Sequence, residues 1–242
     1  MDIIINTLRK IFGDKIAVDI NSFTINSGDI LGLVGNNGAG KTTLFRLMLD
    51  LIKADNGQVS MFIAHNDSTP EEINPAKSED WKTVTGAYID EGFLIDFLTP
   101  EEYFSFVGKV NGLTENETNE RIKPFTHFMN GELLGQKKLI RNFSAGNKQK
   151  VGIISALINH PQLLILDEPF NFLDPTSQNS LKHILKEYNT LSGATIIISS
   201  HNLAHTIDIS SRIALLENGR IIKDLPNIDG CAQKELEDYF GQ

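Results

Sequence analysis

The sequence predicts an α/β fold, with a buried parallel-sheet core, an antiparallel β subdomain ahead of it and an α-helical subdomain inserted into it. Three observations carry this prediction. Short, nearly all-apolar runs recur at residues 29–34, 163–166 and 195–198, each ending at glycine or polar residues, as strands buried on both faces do. The alternation of Ile16, Val18 and Ile20, followed by Phe23 and Ile25, reads as antiparallel strands near the N-terminus. Between residues 101 and 150 the apolar spacing becomes helical and the strand-like runs stop.

Taken in order, residues 29–34 form a core strand that feeds directly into a glycine-rich loop. Behind that loop Leu44, Leu47, Met48, Leu51 and Ile52 recur at helical spacing, which predicts a helix closing near Asn56 and Gly57. Residues 64–82, polar with two prolines, read as an exposed loop or small insertion. After the helical subdomain, a helix over about residues 176–189 carries Leu181, Ile184, Leu185 and Tyr188 on one stripe between two core strands. The division is one domain: residues 1–90 and 151–225 as core with β subdomain, 91–150 helical, and 226–242 a C-terminal tail.

Composition narrows the function. The 242 residues are 40% hydrophobic, enough for a sizeable core. A net charge of -9 argues against a surface built to neutralise nucleic-acid phosphates, so no nucleic-acid partner is expected. The lone Cys231 permits no intrachain disulfide and fits a reducing compartment. The N-terminus lacks a secretory-signal pattern, and the mature protein is expected to start there. The longest apolar stretch, residues 151–166, is interrupted by Asn159, His160, Pro161 and Gln162, short of the ~20 apolar residues of a membrane span. A role at a membrane would need another chain to cross it.

The chemistry concentrates in two motifs. Gly35-Asn36-Asn37-Gly38-Ala39-Gly40-Lys41-Thr42, followed by Thr43, fits the phosphate-loop pattern G-x-x-x-x-G-K-[ST] between a strand and a helix. Glycines let backbone N–H groups converge on phosphate oxygens, Lys41 reaches the outer phosphates, and the Thr42 hydroxyl suits Mg²⁺. The strand at residues 163–166 ends in Asp167-Glu168-Pro169. Acids at the end of a buried strand are costly unless they have work. Asp167 suits Mg²⁺ through its water shell, and Glu168 suits polarising an attacking water.

With Phe143-Ser144-Ala145-Gly146-Asn147-Lys148-Gln149, these motifs resemble the nucleotide-binding subunit of an ABC (ATP-binding cassette) transporter, in the family's motif order and over about residues 3–224. The resemblance implies a P-loop NTPase of ABC type with a RecA-like core, binding ATP and Mg²⁺ and hydrolysing ATP. It implies that Ser144 and the Gly146 amide, in the place of the family's LSGGQ signature, cover the γ-phosphate held by an opposite subunit. Ala145 and Asn147 depart from that signature, and alanine would be strained at position 145 if φ were positive there. Asp90 occupies the place of the family's glutamine that reaches Mg²⁺ and the attacking water at the core-to-helical junction, with Glu91 second; an acid there is similar to cassettes of the antibiotic-resistance and multidrug export type, which implies export. His201 matches the switch histidine at the γ-phosphate, Asn171-Phe172-Leu173-Asp174 the boundary-crossing loop with its usual SGLD altered, and Phe12 the aromatic stacked on adenine.

The implied partners are an integral-membrane permease and a second copy or a paralogous cassette, with the chain peripheral on the cytoplasmic face of the membrane. The aromatic run at Phe93, Phe97, Tyr103, Phe104 and Phe106 is mostly helical-subdomain core, with some members expected to be exposed for a permease. Lys137, Lys138, Arg141, Lys148 and Lys150 read most simply as a solvated basic face. A non-transport cassette ATPase and a low-turnover nucleotide sensor remain as alternatives.

Overall fold

A computed structural model describes residues 1–63 and 70–241. Among these residues the strands are β1 (Asp2–Phe12), β2 (Lys15–Ile25), β3 (Ile30–Val34), β4 (Asn56–Ile63), β5 (Glu71–Ile73), β6 (Thr85–Tyr88), β7 (Leu163–Leu166), β8 (Thr195–Ser200), β9 (Arg212–Glu217) and β10 (Arg220–Pro226). The helices are α1 (Lys41–Met48), α2 (Trp81–Val84), α3 (Pro100–Val110), α4 (Glu115–Ile122), α5 (Thr126–Met129), α6 (Ala145–Leu157), α7 (Pro175–Ser192), α8 (Leu203–Ile209) and α9 (Gln233–Phe240).

Two sheets result. The core sheet runs β10-β9-β3-β8-β7-β6, parallel except for β10, while β2-β1-β4-β5 form an antiparallel sheet. Alternate residues of the core strands face opposite layers. Leu31, Leu33, Leu163, Ile165 and Ile197 pack with α1 and the antiparallel sheet, whereas Leu164, Leu166, Ile196 and Ile198 pack with α6, α7 and the helical subdomain. Burial on both sides explains why these strands read as unbroken apolar runs.

Helix α1 departs from expectation. It ends at Met48, with Asp50 in the left-handed region at φ 48°, and the Leu51 and Ile52 amides both turn back to the Arg46 carbonyl. Leu51 keeps the helical spacing yet is exposed, and residues from Asn56 onward enter β4. The expected exposed loop at 64–82 is also partly structured: β5 pairs with β4 through Met61 opposite Ile73, and Trp81 is buried at the start of α2. Residues 64–69 of that stretch lie outside the described residues.

The helical subdomain rests on side-chain caps. Thr99 and Glu102 form a capping box at α3, and Thr114 and Glu117 form another at α4. Helix α6 crosses the expected boundary at residue 150, running from the helical subdomain onto β6 and β7. This places a subdomain residue, Ser144, and the core strand ends on one side of the molecule.

Candidate functional site

The glycine loop closes tightly onto the core. Gly40, at φ 113°, is the N-cap of α1, and a Cβ there would stand 2.3 Å from the Ala17 carbonyl oxygen. Only glycine satisfies both conditions. Lys41 is buried and donates from Nζ to the Gly35 carbonyl at 2.6 Å, spanning its own loop. The loop-facing cleft is lined by Phe12, Lys15, Asn37 through Thr43, and Glu168. Phe12 is 52% exposed at its mouth, with the Lys10 ammonium 5.4 Å from its ring centroid. Lys15, which the sequence reading missed, lies opposite Gly38 and adds a second cation to this cradle.

The strand-end acids meet the loop. The Thr42 hydroxyl donates to Asp167 Oδ2 at 2.5 Å, and the Ser199 hydroxyl donates to Asp167 Oδ1. Burial pushes the Asp167 carboxyl up, and those two hydroxyls pull it back toward the charged form. Glu168 has φ 47°, a left-handed conformation uncommon for a non-glycine residue. It is held there from several sides: its amide donates to Ser199 Oγ at 2.8 Å, and its carbonyl accepts from Gln149 Nε2 at 3.2 Å. The Glu168 carboxylate lies 3.5 Å from Lys41 Nζ and 2.9 Å from His201 Nδ1. With Nδ1 protonated toward that carboxylate, His201 is half exposed and keeps Nε2 for another partner.

Thus Lys41, Thr42, Asp167, Glu168 and His201 form one connected network. Ser199 organises both acids and escaped notice in the sequence, because its place at the end of an apolar strand made it look like a terminator.

Asp90 lines a cleft shared with Ala145, Asp167, Glu168 and Phe172, and both of its carboxylate oxygens accept hydrogen bonds. Oδ2 accepts from Arg46 Nη2 at 3.1 Å and Oδ1 from the Gly92 amide at 2.8 Å. Arg46 therefore balances the extra negative charge that an acid brings here.

Ser144 is the N-cap of α6 and accepts from the Asn147 amide at 3.3 Å. Ala145 begins the helix without a positive φ, so the condition under which alanine would be strained here is not met. Gly146 is tightly placed, since a Cβ would stand 2.5 Å from the Phe172 carbonyl oxygen. Strain lies instead at Phe172, with φ 63° and its side chain 73% exposed. Left-handed geometry costs a non-glycine residue about 1–2 kcal/mol. Phe172→Gly is therefore expected to leave the thermal unfolding midpoint unchanged or slightly raised, the relief offset by glycine's entropy of ~0.5–1 kcal/mol. A fall of many degrees in differential scanning calorimetry would contradict this. Asp174 caps α7 by accepting from the Ser177 amide at 3.0 Å, and the Ser177 hydrogen bonds hold its carboxyl below the usual range.

The basic cluster is not one solvated face. Lys150 is buried, pairs with Glu132 at 3.3 Å and lies over Phe128, while Lys148 pairs with Glu91 at 3.1 Å. The aromatic run divides: Tyr103 and Phe104 are buried, whereas Phe93, Phe97 and Phe106 are exposed.

The family model described as "ABC transporter" matches residues 18–171, a span that includes the glycine loop, both strand-end acids and the Ser144 turn. The chain belongs to the ABC transporter family. The cassette is 32% identical over 228 residues to the bacitracin transport ATP-binding protein BcrA of Bacillus licheniformis, covering 93% of this chain and 71% of that one. It is also 32% identical to the methionine import ATP-binding protein MetN of Rhizobium johnstonii, covering 90% of this chain and 59% of that one. Among solved structures, an ATP-binding subunit of an ABC transporter superposes with a TM-score of 0.79 at 26% identity, covering all of this chain and 94% of that one. A dimeric cassette bound to ADP and Pi has the same fold, with a TM-score of 0.78 at 20% identity over 93% of this chain and 99% of that one. The cassette is thus an ATP-binding protein and an ATPase of the ABC type. Among the described residues no helix is long and apolar enough to cross a membrane.

Proposed function

We propose that this cassette closes head-to-tail with a second copy, or with a paralogous cassette, over two ATP·Mg²⁺ and so drives a separate membrane permease, most simply an exporter. The observation that carries this reading is the network joining Lys41, Thr42, Asp167, Glu168 and His201 across the mouth of the glycine cradle.

Each residue then has a task. The backbone of Gly35 to Gly40 and the start of α1 hold the phosphates, and Lys41 exchanges its Gly35 carbonyl for phosphate oxygen. Thr42 and Asp167 present two hard oxygen donors to each other, a donor set that fits Mg²⁺. When bound, that ion would neutralise charge developing on the β- and γ-phosphates. Glu168 orients and deprotonates the attacking water, and His201 steadies the glutamate and faces the γ-phosphate. Asp90 stands beside the two acids as an additional acceptor, which Arg46 keeps charge-balanced. Ser144 and the Gly146 amide complete the site of the opposite subunit, so closure requires the γ-phosphate.

Phe12 offers its free ring face to adenine, with Lys10 behind it. Phe12→Ala is expected to weaken ATP binding about 5–10-fold, as loss of one stacking partner does. Phe12→Trp should retain it, as read by titration with a fluorescent ADP analogue. Equal affinity in the alanine variant would remove Phe12 from the site.

Export is supported by the acid at position 90, while the methionine import relative matches at the same identity as the bacitracin transport relative. Exposed Phe93, Phe97 and Phe106 supply apolar surface for a permease helix at the cytoplasmic face of the membrane. Co-purification of an integral-membrane protein with the native cassette, lost on Phe97→Glu, tests that contact. Retention after the substitution would contradict it.

A further inference from the structure

The consecutive carboxylates Asp90 and Glu91 pair with different helices. Asp90 pairs with Arg46 on α1, the helix that begins with Lys41 and Thr42. Glu91 pairs with Lys148 on α6, the helix capped by Ser144. Both N···O distances are 3.1 Å. The two acids sit where the chain leaves β6 for the helical subdomain, in a turn tightened by the Gly92 amide on Asp90 and the Leu94 amide on the Glu91 carbonyl.

The Arg46 side of this arrangement is not built for stability. An arginine that serves to anchor a carboxylate normally engages it through two parallel N–H groups. Arg46 bonds Asp90 through Nη2 alone, and its Nε is buried without a partner. The Glu91–Lys148 pair is partly exposed as well, with Glu91 well open to solvent. Pairs of this kind add little to folding free energy. Their value must lie in what they connect.

We propose that Arg46 and Lys148 are positioning residues for ATP hydrolysis. Through Asp90 and Glu91 they clasp the helix behind the glycine loop to the helix behind the serine turn. This rests on the assignment of the Ser144 turn and Asp90 given above. A shift in α1 on filling the cradle is passed to the 90–91 step and from there to α6, so the two faces of the composite site move together. Gln149 adds a parallel tie, donating from α6 to the Glu168 carbonyl.

Charge exchange tests the clasp. Labels at Asn116→Cys and Thr190→Cys, with Cys231→Ser, report the distance between helical subdomain and core by double electron–electron resonance in nucleotide-free protein. Glu91→Lys and Lys148→Glu should each broaden that distribution, and the double exchange should narrow it again. In steady-state ATPase assays each single variant, and Arg46→Gln, should lose roughly 10-fold in kcat, since misplacement by 1 Å can cost ~100-fold. KM for ATP should stay within about 2-fold, because none of the three side chains meets the nucleotide. The double exchange should regain most of the lost kcat. Single variants with wild-type distributions or wild-type kcat would overturn the clasp, as would a double exchange no better than its parents. The distance measurement needs no turnover, so a wild-type chain without ATPase activity would sink the assigned function separately.

Discussion

Glu168→Gln is expected to lower steady-state ATP hydrolysis by about 10²–10⁴-fold while leaving ATP binding at its wild-type level, the range that a positioned general base supplies. The substitution keeps the shape of the side chain and an oxygen acceptor, but removes the group able to take a proton from water. Its backbone anchors are untouched, because Ser199 and Gln149 hold the amide and carbonyl of residue 168 rather than its carboxylate. Two contacts do change: His201 loses its carboxylate partner at 2.9 Å, and Lys41 loses a negative neighbour at 3.5 Å. The freed Lys41 should hold the γ-phosphate at least as firmly as before. Phosphate release and nucleotide binding, measured on the same preparation, separate the two effects. Unimpaired turnover would remove Glu168 from its role.

Lys41→Ala should act at the earlier step. Lys41 is buried, spans its own loop through the Gly35 carbonyl, and carries the cation nearest the strand-end acids. Its removal leaves incoming phosphate oxygens facing Glu168 and Asp167 without the charge that balances them. Truncating one member of a buried charge pair costs about 2–5 kcal/mol, or roughly 30- to several-thousand-fold in ATP affinity. Lys15 lies at the edge of the same cradle and cannot replace Lys41, since it approaches from the Gly38 side. Isothermal titration with ATP and Mg²⁺ reads the loss. Retention within about 3-fold would contradict the cradle assignment.

Much of this architecture was legible in the sequence because it depends on local order. The buried strands declared themselves by unbroken apolar runs, and the phosphate loop by glycines and Lys41-Thr42 at fixed spacing between a strand and a helix. Contacts between distant segments were not legible. Ser199 bonds both strand-end acids across neighbouring strands, and nothing in its local pattern distinguishes it from a strand terminator. Lys150 read as solvated, yet α6 turns that position inward against Glu132 and Phe128. The helix after the glycine loop read too long because Leu51 and Ile52 keep its spacing after the backbone has turned at Asp50. At position 145 alanine would be strained only at positive φ, and the sequence does not reveal φ. The backbone places the left-handed residue at Phe172 instead, in the loop against which Gly146 packs.

The shared grip on ATP is the central claim, and sedimentation of the Glu168→Gln chain tests it most directly. With saturating ATP and Mg²⁺ the sedimenting mass should double relative to the nucleotide-free chain, and Ser144→Arg should abolish the doubling while leaving ATP bound. A chain that stays monomeric under those conditions, with the proposed permease also supplied, would contradict a site built from two copies.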